Sequence, residues 1–203
     1  MDTPFPNKKY NIIYADPPWQ YKKGKVTSND RAPEKHYQTM PTTEIANLPV
    51  EQIADKDCIL FMWATFPKLQ DAFKVIQDWG FDYKTCGFVW VKKNKKQINS
   101  NFWGMGMWTR SNAEICLIAT KGKPKRINAN VHSIIEAPIR EHSRKPSMVR
   151  SRIKQLMGDI PSIELFARQS SEGWDVWGNQ VNKFNKDVDK TKVFNYGNKT
   201  FFK

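Results

Sequence analysis

Four consecutive residues, Asp16-Pro17-Pro18-Trp19, combine reactive and rigid groups. The Asp16 carboxylate and a proline carbonyl can each accept one N–H of an exocyclic amine, and the indole of Trp19 offers a flat stacking surface. Because prolines lower the entropy cost of holding such a geometry, the tetrapeptide suits recognition of a planar, amine-bearing heterocycle. A proline-rich turn in which Asp16 caps a backbone amide explains the same four residues equally well.

Basic residues are the second group of side chains that could bind a ligand. Lysine and arginine outnumber acidic residues by 33 to 20, which gives the 203-residue chain a formal charge of +13. Solubility of a small domain requires a net charge of only about 2–8, so the excess indicates a polyanionic partner. Nucleic acid is favoured over a membrane surface, since no strongly amphipathic basic helix is present.

Two clusters of basic residues each follow an expected strand, and we expect them to flank the site as phosphate-binding loops. The second cluster is Lys121–Arg126. The first supplies the candidate substrate-binding residues Lys92, Lys93, Lys95 and Lys96. A merely solvated charged loop remains the alternative for either cluster.

Other chemistries have little support. The three histidines are not at metal-ligand spacing, so no metal is expected. The three cysteines lie in apolar runs without CxxC spacing, which argues against a disulfide framework and fits a reducing cytoplasm. Met1–Lys9 lacks the apolar segment of a secretory signal. The longest mostly apolar run, Cys58–Phe66, is far shorter than the ~20 residues that span a bilayer.

Strand-like and helix-like segments alternate along the chain, which predicts an α/β fold with a mainly parallel sheet. Ligands bind beyond the carboxyl ends of strands in such sheets, and Asp16 stands at such an end. The expected strands are residues 10–15, 57–65, 83–92, 113–120, 131–135, 160–167 and 174–177. The expected helices are residues 42–48, with Thr42 as the cap, 67–79 and 146–157.

Length and composition predict one domain, residues 1–181, followed by a basic C-terminal tail, residues 182–203. The tail is polar and has no long periodic apolar stripe. The polar stretch 20–41 is expected to form a long loop, and loops of that length in a compact domain tend to be functional or disordered.

A series of motifs follows in a definite order. YADPPWQY precedes HYQTM, FMWAT, WGF and VWVK, and then come AEICLIATKG, HSRKPSMVRSRI, IELFAR and GWDVWGNQ. This order resembles the DPPW-type S-adenosylmethionine-dependent N6-adenine methyltransferases, the family that includes the catalytic subunit of the eukaryotic mRNA adenosine methyltransferase. The resemblance extends from Tyr10 to Val181. DPPW followed by RKP, ELFAR and WGNQ in this order is highly specific for that family.

The resemblance implies a role for each residue of the tetrapeptide. Asp16 would accept a hydrogen bond from the adenine amine, and Pro17 would accept a second one through its carbonyl. Pro18 and Trp19 would shape the pocket for base and cofactor. These four are the implied catalytic residues.

The resemblance also implies binding residues outside the tetrapeptide. Tyr37 matches a tyrosine on a loop that closes over the substrate base, and Glu114 and Lys145 match residues at the substrate–cofactor junction. The Asn179–Gln180 pair would bind the ribose hydroxyls of the cofactor. The implied cofactor-binding residues are Asp16, Pro18, Lys145, Leu165, Arg168, Asn179 and Gln180.

The motif order implies a Rossmann-like class I methyltransferase sheet in circularly permuted, β-class order, because the DPPW strand comes first and ELFAR and GNQ come last. The absence of GxGxxG near the N-terminus agrees with this order and argues against a dinucleotide fold. The chain departs from the eukaryotic pattern at Gln169–Gly173, where eukaryotic members carry a histidine and an asparagine.

The implied activity is methyl transfer from S-adenosylmethionine to the N6 amine of adenine in nucleic acid. DNA is favoured because the chain shows no added RNA-binding domain and resembles the bacterial or phage branch. RNA methylation and a non-catalytic nucleic-acid-binding role are the alternatives, and an intact DPPW argues against the second. Asp16 in place of asparagine argues against methylation of a protein side-chain amide. Monomer and homodimer both remain open.

Overall fold

The computed structural model describes residues 4–21, 38–97, 99–106, 108–141 and 144–184. Its strands are β1 (Tyr10–Ala15), β2 (Ala54–Ala64), β3 (Asp82–Lys93), β4 (Ala113–Lys121), β5 (Ile134–Pro138), β6 (Ser162–Leu165) and β7 (Asp175–Trp177). Its helices are α1 (Thr42–Ala46), α2 (Val50–Ile53), α3 (Leu69–Asp78) and α4 (Met148–Met157), with a 3-10 turn at Phe66–Lys68. The expected α/β class is confirmed.

The seven strands form one sheet in the order β5-β3-β4-β2-β1-β6-β7. β1 pairs in parallel with β2 and β6, whereas β4 is antiparallel to both of its neighbours, β2 and β3. The carboxyl ends of the other six strands therefore meet the amino end of β4 at one edge, which we call the site edge. This sheet is Rossmann-like, as predicted, and the circular permutation stays a prediction.

Strand β1 is buried on both faces, as its apolar sequence predicts. Ile13 and Ala15 pack in the core beneath α1, α2 and α3, whereas Ile12 and Tyr14 pack beneath α4. Each fully buried isoleucine stabilises the fold by roughly 1.5–3 kcal/mol. Because both faces are covered, β1 has no freedom to shift, and Asp16 at its end is held in place.

The prediction that the Lys121–Arg126 cluster flanks the site is wrong. Lys121 ends β4 and pairs with Cys58 near the start of β2, at the edge opposite Asp16. The expectation assumed that the end of every strand lies at the same edge, which fails for an antiparallel strand.

Smaller differences concern the helices. Thr42 is the first residue of α1 and makes no capping hydrogen bond, because Pro41 occupies the cap position. The four-residue helix α2 was not expected, since it is too short to show an apolar period. In the described part of the chain, no helix is long and apolar enough to cross a membrane. The tail boundary at 181 stays a prediction.

Candidate active site

The DPPW turn leaves the site edge directly after β1 and is fixed on several sides. The Pro17 carbonyl accepts a hydrogen bond from the Trp19 backbone N–H at 2.9 Å, and the Pro18 carbonyl accepts one from the Met40 N–H at 2.8 Å. The buried Trp19 indole donates to the carbonyl of Trp63 in β2 at 3.1 Å. These contacts hold the turn in one conformation and direct Asp16 outward from the sheet.

Asp16 begins a chain of ion pairs that crosses the site edge. Lys145 Nζ, just before α4, lies 2.8 and 2.9 Å from the two Asp16 carboxylate oxygens and 3.2 Å from Glu114 Oε2. Lys92 Nζ at the end of β3 lies 2.6 Å from the other Glu114 oxygen. The side chains of Lys145 and Glu114 are only 9% and 7% exposed. We call these four residues the ion-pair chain.

Charge balance within the ion-pair chain sets its protonation. Burial alone would raise the pKa of Glu114, but the Lys145 and Lys92 ammonium groups outweigh burial and hold that pKa below its ordinary value. Burial alone would lower the pKa of Lys145, but the Asp16 and Glu114 carboxylates hold it above its ordinary value. At neutral pH Lys145 is therefore protonated and cannot accept a proton, whereas Glu114 is ionised and is a weaker base than an ordinary carboxylate.

A cleft of about 310 Å³ opens beside Asp16, and we call it the first cleft. Aromatic side chains form much of its wall, which suits a planar ligand. Tyr21 and Thr65, whose hydroxyls lie 2.5 Å apart, were missed by the sequence analysis, although Tyr21 belongs to the YADPPWQY motif. The lining residues are Asp16, Pro17, Trp19, Tyr21, Trp63, Ala64, Thr65, Glu114 and Lys145.

A second cleft of about 330 Å³ lies on the other side of Asp16 and Lys145, toward the end of β6. Because both clefts share Asp16 and Lys145, ligands in the two clefts would meet at the ion-pair chain. The strand order reverses here, because β2 lies on one side of β1 and β7 lies on the other side of β6. Ligands bind at such switch points in α/β sheets. The lining residues are Tyr14, Asp16, Arg144, Lys145, Arg150, Glu164, Phe166, Arg168, Gln169 and Phe184.

An ion pair that the sequence analysis missed borders the second cleft. Arg150 in α4 donates to both oxygens of Glu164 in β6, at 2.6 and 2.8 Å, and lies over the Tyr14 ring at 6.0 Å. Burial raises the pKa of Glu164, and the opposing effect of Arg150 is smaller. The signal was present in the RKPSMVR and ELFAR motifs, but spacing alone does not pair their side chains.

The predicted cofactor-binding residues separate into two groups. Arg168 lines the second cleft, with its guanidinium 5.4 Å from the ring centre of the buried Phe184, and Leu165 is buried at the end of β6. Asn179 and Gln180 lie on the loop after β7, outside the lining of both clefts. Asn179 is exposed, with its amide 3.5 Å from the Gln38 oxygen.

The backbone is constrained where β6 and β7 end. A Cβ on Gly178 would lie 2.7 Å from the Ala167 carbonyl oxygen, so only glycine allows this approach. Phe166 adopts a left-handed φ of 61°, which non-glycine residues rarely adopt. Such strain is often retained at binding sites, and here it accompanies the ELFAR and GNQ motifs.

The four candidate phosphate-binding lysines have different surroundings. Lys92 belongs to the ion-pair chain and lies 5.3 Å from the Trp90 ring centre. Lys93 pairs with Glu136 at 2.8 Å, and only Lys95 and Lys96 of the four are exposed to solvent. Their phosphate contact stays a prediction. Tyr37 lies outside the described residues.

Comparisons with known proteins match most of this chain. The profile of the family described as MT-A70 matches residues 10–180. The Type II methyltransferase M.MunI of Mycoplasma sp. is 35% identical over 193 residues, covering 87% of this chain and 79% of that protein. The N(6)-adenosine-methyltransferase MT-A70-like of Arabidopsis thaliana is 31% identical over 85% of this chain, but only 24% of its own length is covered. The human N(6)-adenine-specific methyltransferase METTL4 is 25% identical, and the match covers 87% of this chain and 38% of that protein.

Proposed function

Since the chain belongs to the MT-A70 family, we propose that it transfers a methyl group from S-adenosylmethionine to the N6 amine of adenine in DNA. One observation carries this proposal: two clefts of similar size meet at Asp16 and Lys145. The first has the aromatic wall that a nucleobase requires, and the second lies where the strand order reverses between β1 and β6.

In the first cleft, Asp16 and Pro17 would receive the adenine amine. Its nitrogen is a poor nucleophile because the lone pair is delocalised into the ring. A carboxylate has about four acceptor sites, so Asp16 can bind the amine while it accepts hydrogen bonds from Lys145. The Pro17 carbonyl uses one lone pair for Trp19 and has a second available. Hydrogen bonds to both N–H groups favour a more pyramidal, more nucleophilic nitrogen.

The second cleft fits a small charged cofactor. Arg144 and Arg168 line it and offer guanidinium groups for a carboxylate. Asn179 and Gln180, on the loop after β7 outside this lining, offer amides for ribose hydroxyls. S-adenosylmethionine supplies a methyl group already activated by its sulfonium charge.

The ion-pair chain would act by positioning. Lys145 is held by Asp16 and Glu114 and so keeps the Asp16 carboxylate in a single orientation. The sulfonium methyl is already activated, so fixed orientation would supply most of the rate. A strong base is unnecessary before attack, because the amine proton becomes acidic once the nitrogen is methylated.

DNA is the favoured substrate because M.MunI, a Type II methyltransferase, is matched over 79% of its length. The plant relative, named for adenosine, is matched over 24% of its length, so its name is weaker support for the substrate of this chain. RNA methylation remains the second candidate, supported by that name.

Mass spectrometry of nucleosides tests the proposal. The protein is incubated with methyl-labelled S-adenosylmethionine and with unmodified duplex DNA, single-stranded DNA or RNA. We expect labelled N6-methyl-2′-deoxyadenosine from DNA. Labelled N6-methyladenosine from RNA alone would establish the second candidate, and no labelled adenine from any polymer would contradict both.

Arg168→Ala and Asn179→Ala should weaken cofactor binding more than they slow methyl transfer at saturating cofactor. Removing a hydrogen bond costs on the order of 1 kcal/mol, and more when one partner is charged, so the dissociation constant should rise about 5- to 30-fold. Calorimetry with S-adenosylmethionine measures this rise. Arg126→Ala, an exposed arginine at the opposite edge, is the matched control. Unchanged affinity in both test variants would contradict a cofactor site formed by the second cleft and the loop after β7.

Neutralising Lys95 and Lys96 together should reduce the salt dependence of DNA binding. Removing one lysine–phosphate interaction flattens the slope of log K against log salt by about 0.9 on duplex DNA. Cofactor affinity should not change, because neither lysine lines the second cleft. Titrations at several salt concentrations give the slopes. The double alanine variant of Lys125 and Arg126, exposed at the opposite edge, is the control, and an equal slope change in both double variants would refute a specific docking role.

A further inference from the structure

The segment between β3 and β4 folds back on itself twice beside the site. Lys93 forms an antiparallel bridge with Asn101, and Gly104 forms another with Ser111. The second bridge includes a 2.7 Å hydrogen bond from the Gly104 N–H to the Ser111 carbonyl. We call the described residues from Gly104 to Ser111 the tryptophan loop; they are Gly104–Gly106 and Trp108–Ser111.

The tryptophan loop is tightly closed. A Cβ on Gly106 would lie 1.8 Å from the Thr109 carbonyl oxygen, so any side chain there would force the two arms apart. Glycine is required where two backbone segments approach this closely. The apex residue Trp108 is therefore presented on a short, closed hairpin.

Trp108 is 96% exposed, which is unusual for so large an apolar side chain. Trp103, 58% exposed, lies in the same segment. The other six of the eight tryptophans are buried, and they are Trp19, Trp63, Trp79, Trp90, Trp174 and Trp177. Exposure of tryptophan is thus confined to this one segment, which indicates a binding surface.

The charges around Trp108 indicate the kind of partner. Arg110 is exposed two residues away on the same loop. Lys95 and Lys96 are exposed on the preceding loop, which the Lys93–Asn101 bridge closes. Exposed aromatic rings next to exposed cations are the combination that binds nucleic acid strands, with cations on phosphates and rings on bases. A hydrophobic surface for a protein partner would have fewer charges at its centre.

The tryptophan loop starts from the rim of the first cleft. The Lys92 backbone N–H donates to the Asn112 carbonyl at 2.8 Å, and the Lys92 carbonyl accepts from the Phe102 N–H at 2.8 Å. The Lys92 side chain in turn pairs with Glu114, which lines the first cleft. Nucleic acid with an adenine in that cleft would pass along this loop.

We propose that Trp108 stacks on the bases that neighbour the target adenine and occupies the gap left when the adenine leaves the helix. This inference rests on the proposed function. An enzyme that acts on a base must remove it from the stack, which is costly in a paired duplex and much less so where pairing is already broken. An aromatic side chain that stacks on the bases left exposed offsets part of that cost.

The test uses two duplexes that contain an adenine methylated in the mass-spectrometric assay. In one duplex this adenine faces thymine, and in the other it faces an abasic site, which leaves it already unpaired. Trp108→Ala should lower kcat/KM on the paired duplex roughly 10-fold or more, the usual effect of losing one stacked base, and much less on the abasic duplex. Trp108→Phe should recover part of the loss, because it retains an aromatic face.

Trp103→Ala is the matched control, since it removes an exposed tryptophan from the same segment outside the apex. Trp103→Ala should lower kcat/KM only slightly, and by the same factor on both duplexes. Equal losses on both duplexes for Trp108→Ala, or no loss on either, would overturn the proposal. A wild-type dimer that Trp108→Ala converts to a monomer, measured by sedimentation, would also overturn it, because Trp108 would then cover a second copy of the chain.

Fluorescence separates failure of this inference from failure of the proposed function. Titration with a 20-nucleotide single strand should quench tryptophan emission in the wild type, and most of that quenching should vanish in Trp108→Phe. If no methylated adenine forms anywhere but this difference persists, the proposed reaction fails while Trp108 still stacks on bases. If methylation occurs but quenching is identical in both proteins, the stacking role is refuted.

Discussion

Replacing Asp16 with alanine should lower methyl transfer by roughly 10²–10³-fold or more while cofactor affinity changes only modestly. Losing one preorganised group that stabilises the transition state typically has an effect of that size. Asp16 contacts the amine only in the proposed reacting complex, so its loss acts mainly on turnover. Turnover with labelled cofactor and calorimetry with S-adenosylmethionine measure the two effects separately.

The fold should survive the Asp16 substitution. Lys145 keeps Glu114 as a partner at 3.2 Å, so no buried ammonium is left without a carboxylate. Asp16→Asn should also be inactive, because its amide group directs donors at Lys145 and offers the amine one acceptor fewer. Asp159→Ala, which removes an exposed carboxylate paired with Lys154, is the control. Wild-type turnover in Asp16→Ala would rule out the proposed mechanism.

Replacing Glu114 with glutamine should be strongly destabilising at neutral pH. The carboxylate lies between Lys92 at 2.6 Å and Lys145 at 3.2 Å and is nearly inaccessible to solvent. Removing one partner of a buried ion pair leaves charge uncompensated and typically costs about 3–5 kcal/mol. Urea unfolding at pH 7 measures this loss. Methyl transfer should fall as well, because Lys145 would no longer be held against Asp16.

Glu136→Gln provides a matched control for Glu114→Gln. Glu136 pairs with Lys93 at 2.8 Å in the neighbouring strand, but its side chain is 41% exposed. Exposed pairs contribute about 0–1 kcal/mol, so this variant should remain close to wild-type stability. Equal losses in the two variants would mean that burial of the ion-pair chain has no energetic consequence.

The stability difference between wild type and Glu114→Gln should depend on pH. The pKa of Glu114 is lowered in the folded protein, because Lys145 and Lys92 outweigh burial, so its stabilising effect is complete above the unfolded value of about 4.3. That effect disappears as pH falls through the lower folded pKa. The difference should therefore be constant from pH 6 to 7 and shrink below about pH 4. A difference that grows on acidification would contradict the charge assignment.

The local sequence was sufficient to predict the elements that present the site. The apolar run of β1 and the prolines that end it predict a buried strand followed by a rigid turn, and both are observed. Leu69, Phe73 and Ile76 recur at helical spacing and predict α3, and all three pack in or against the core. The ordered motifs identified the family, which the match over residues 10–180 confirms. These features depend on neighbouring residues, whose spacing the sequence states directly.

Only the tertiary structure decided which side chains meet. Lys145 donates to Asp16 across 129 positions of sequence, and no local spacing predicts such a contact. The family resemblance named Glu114, Lys145 and Asp16 but not their mutual ion pairs, and it did not name Lys92 as the fourth member. The exposure of Trp108 was likewise invisible, since a tryptophan in sequence is more often a core residue.

The direction of β4 explains why Glu114 lies at the site, as expected, and why the Lys121–Arg126 cluster does not. Because β4 runs antiparallel, its first residues bring Glu114 to Asp16, and its last residue carries Lys121 to the opposite edge. The alternation of side chains along a strand is the same in either direction, so periodicity reveals a strand but not its orientation. Orientation is decided by pairing with distant strands, which is why the sequence determined the parts of the site and tertiary pairing determined their arrangement.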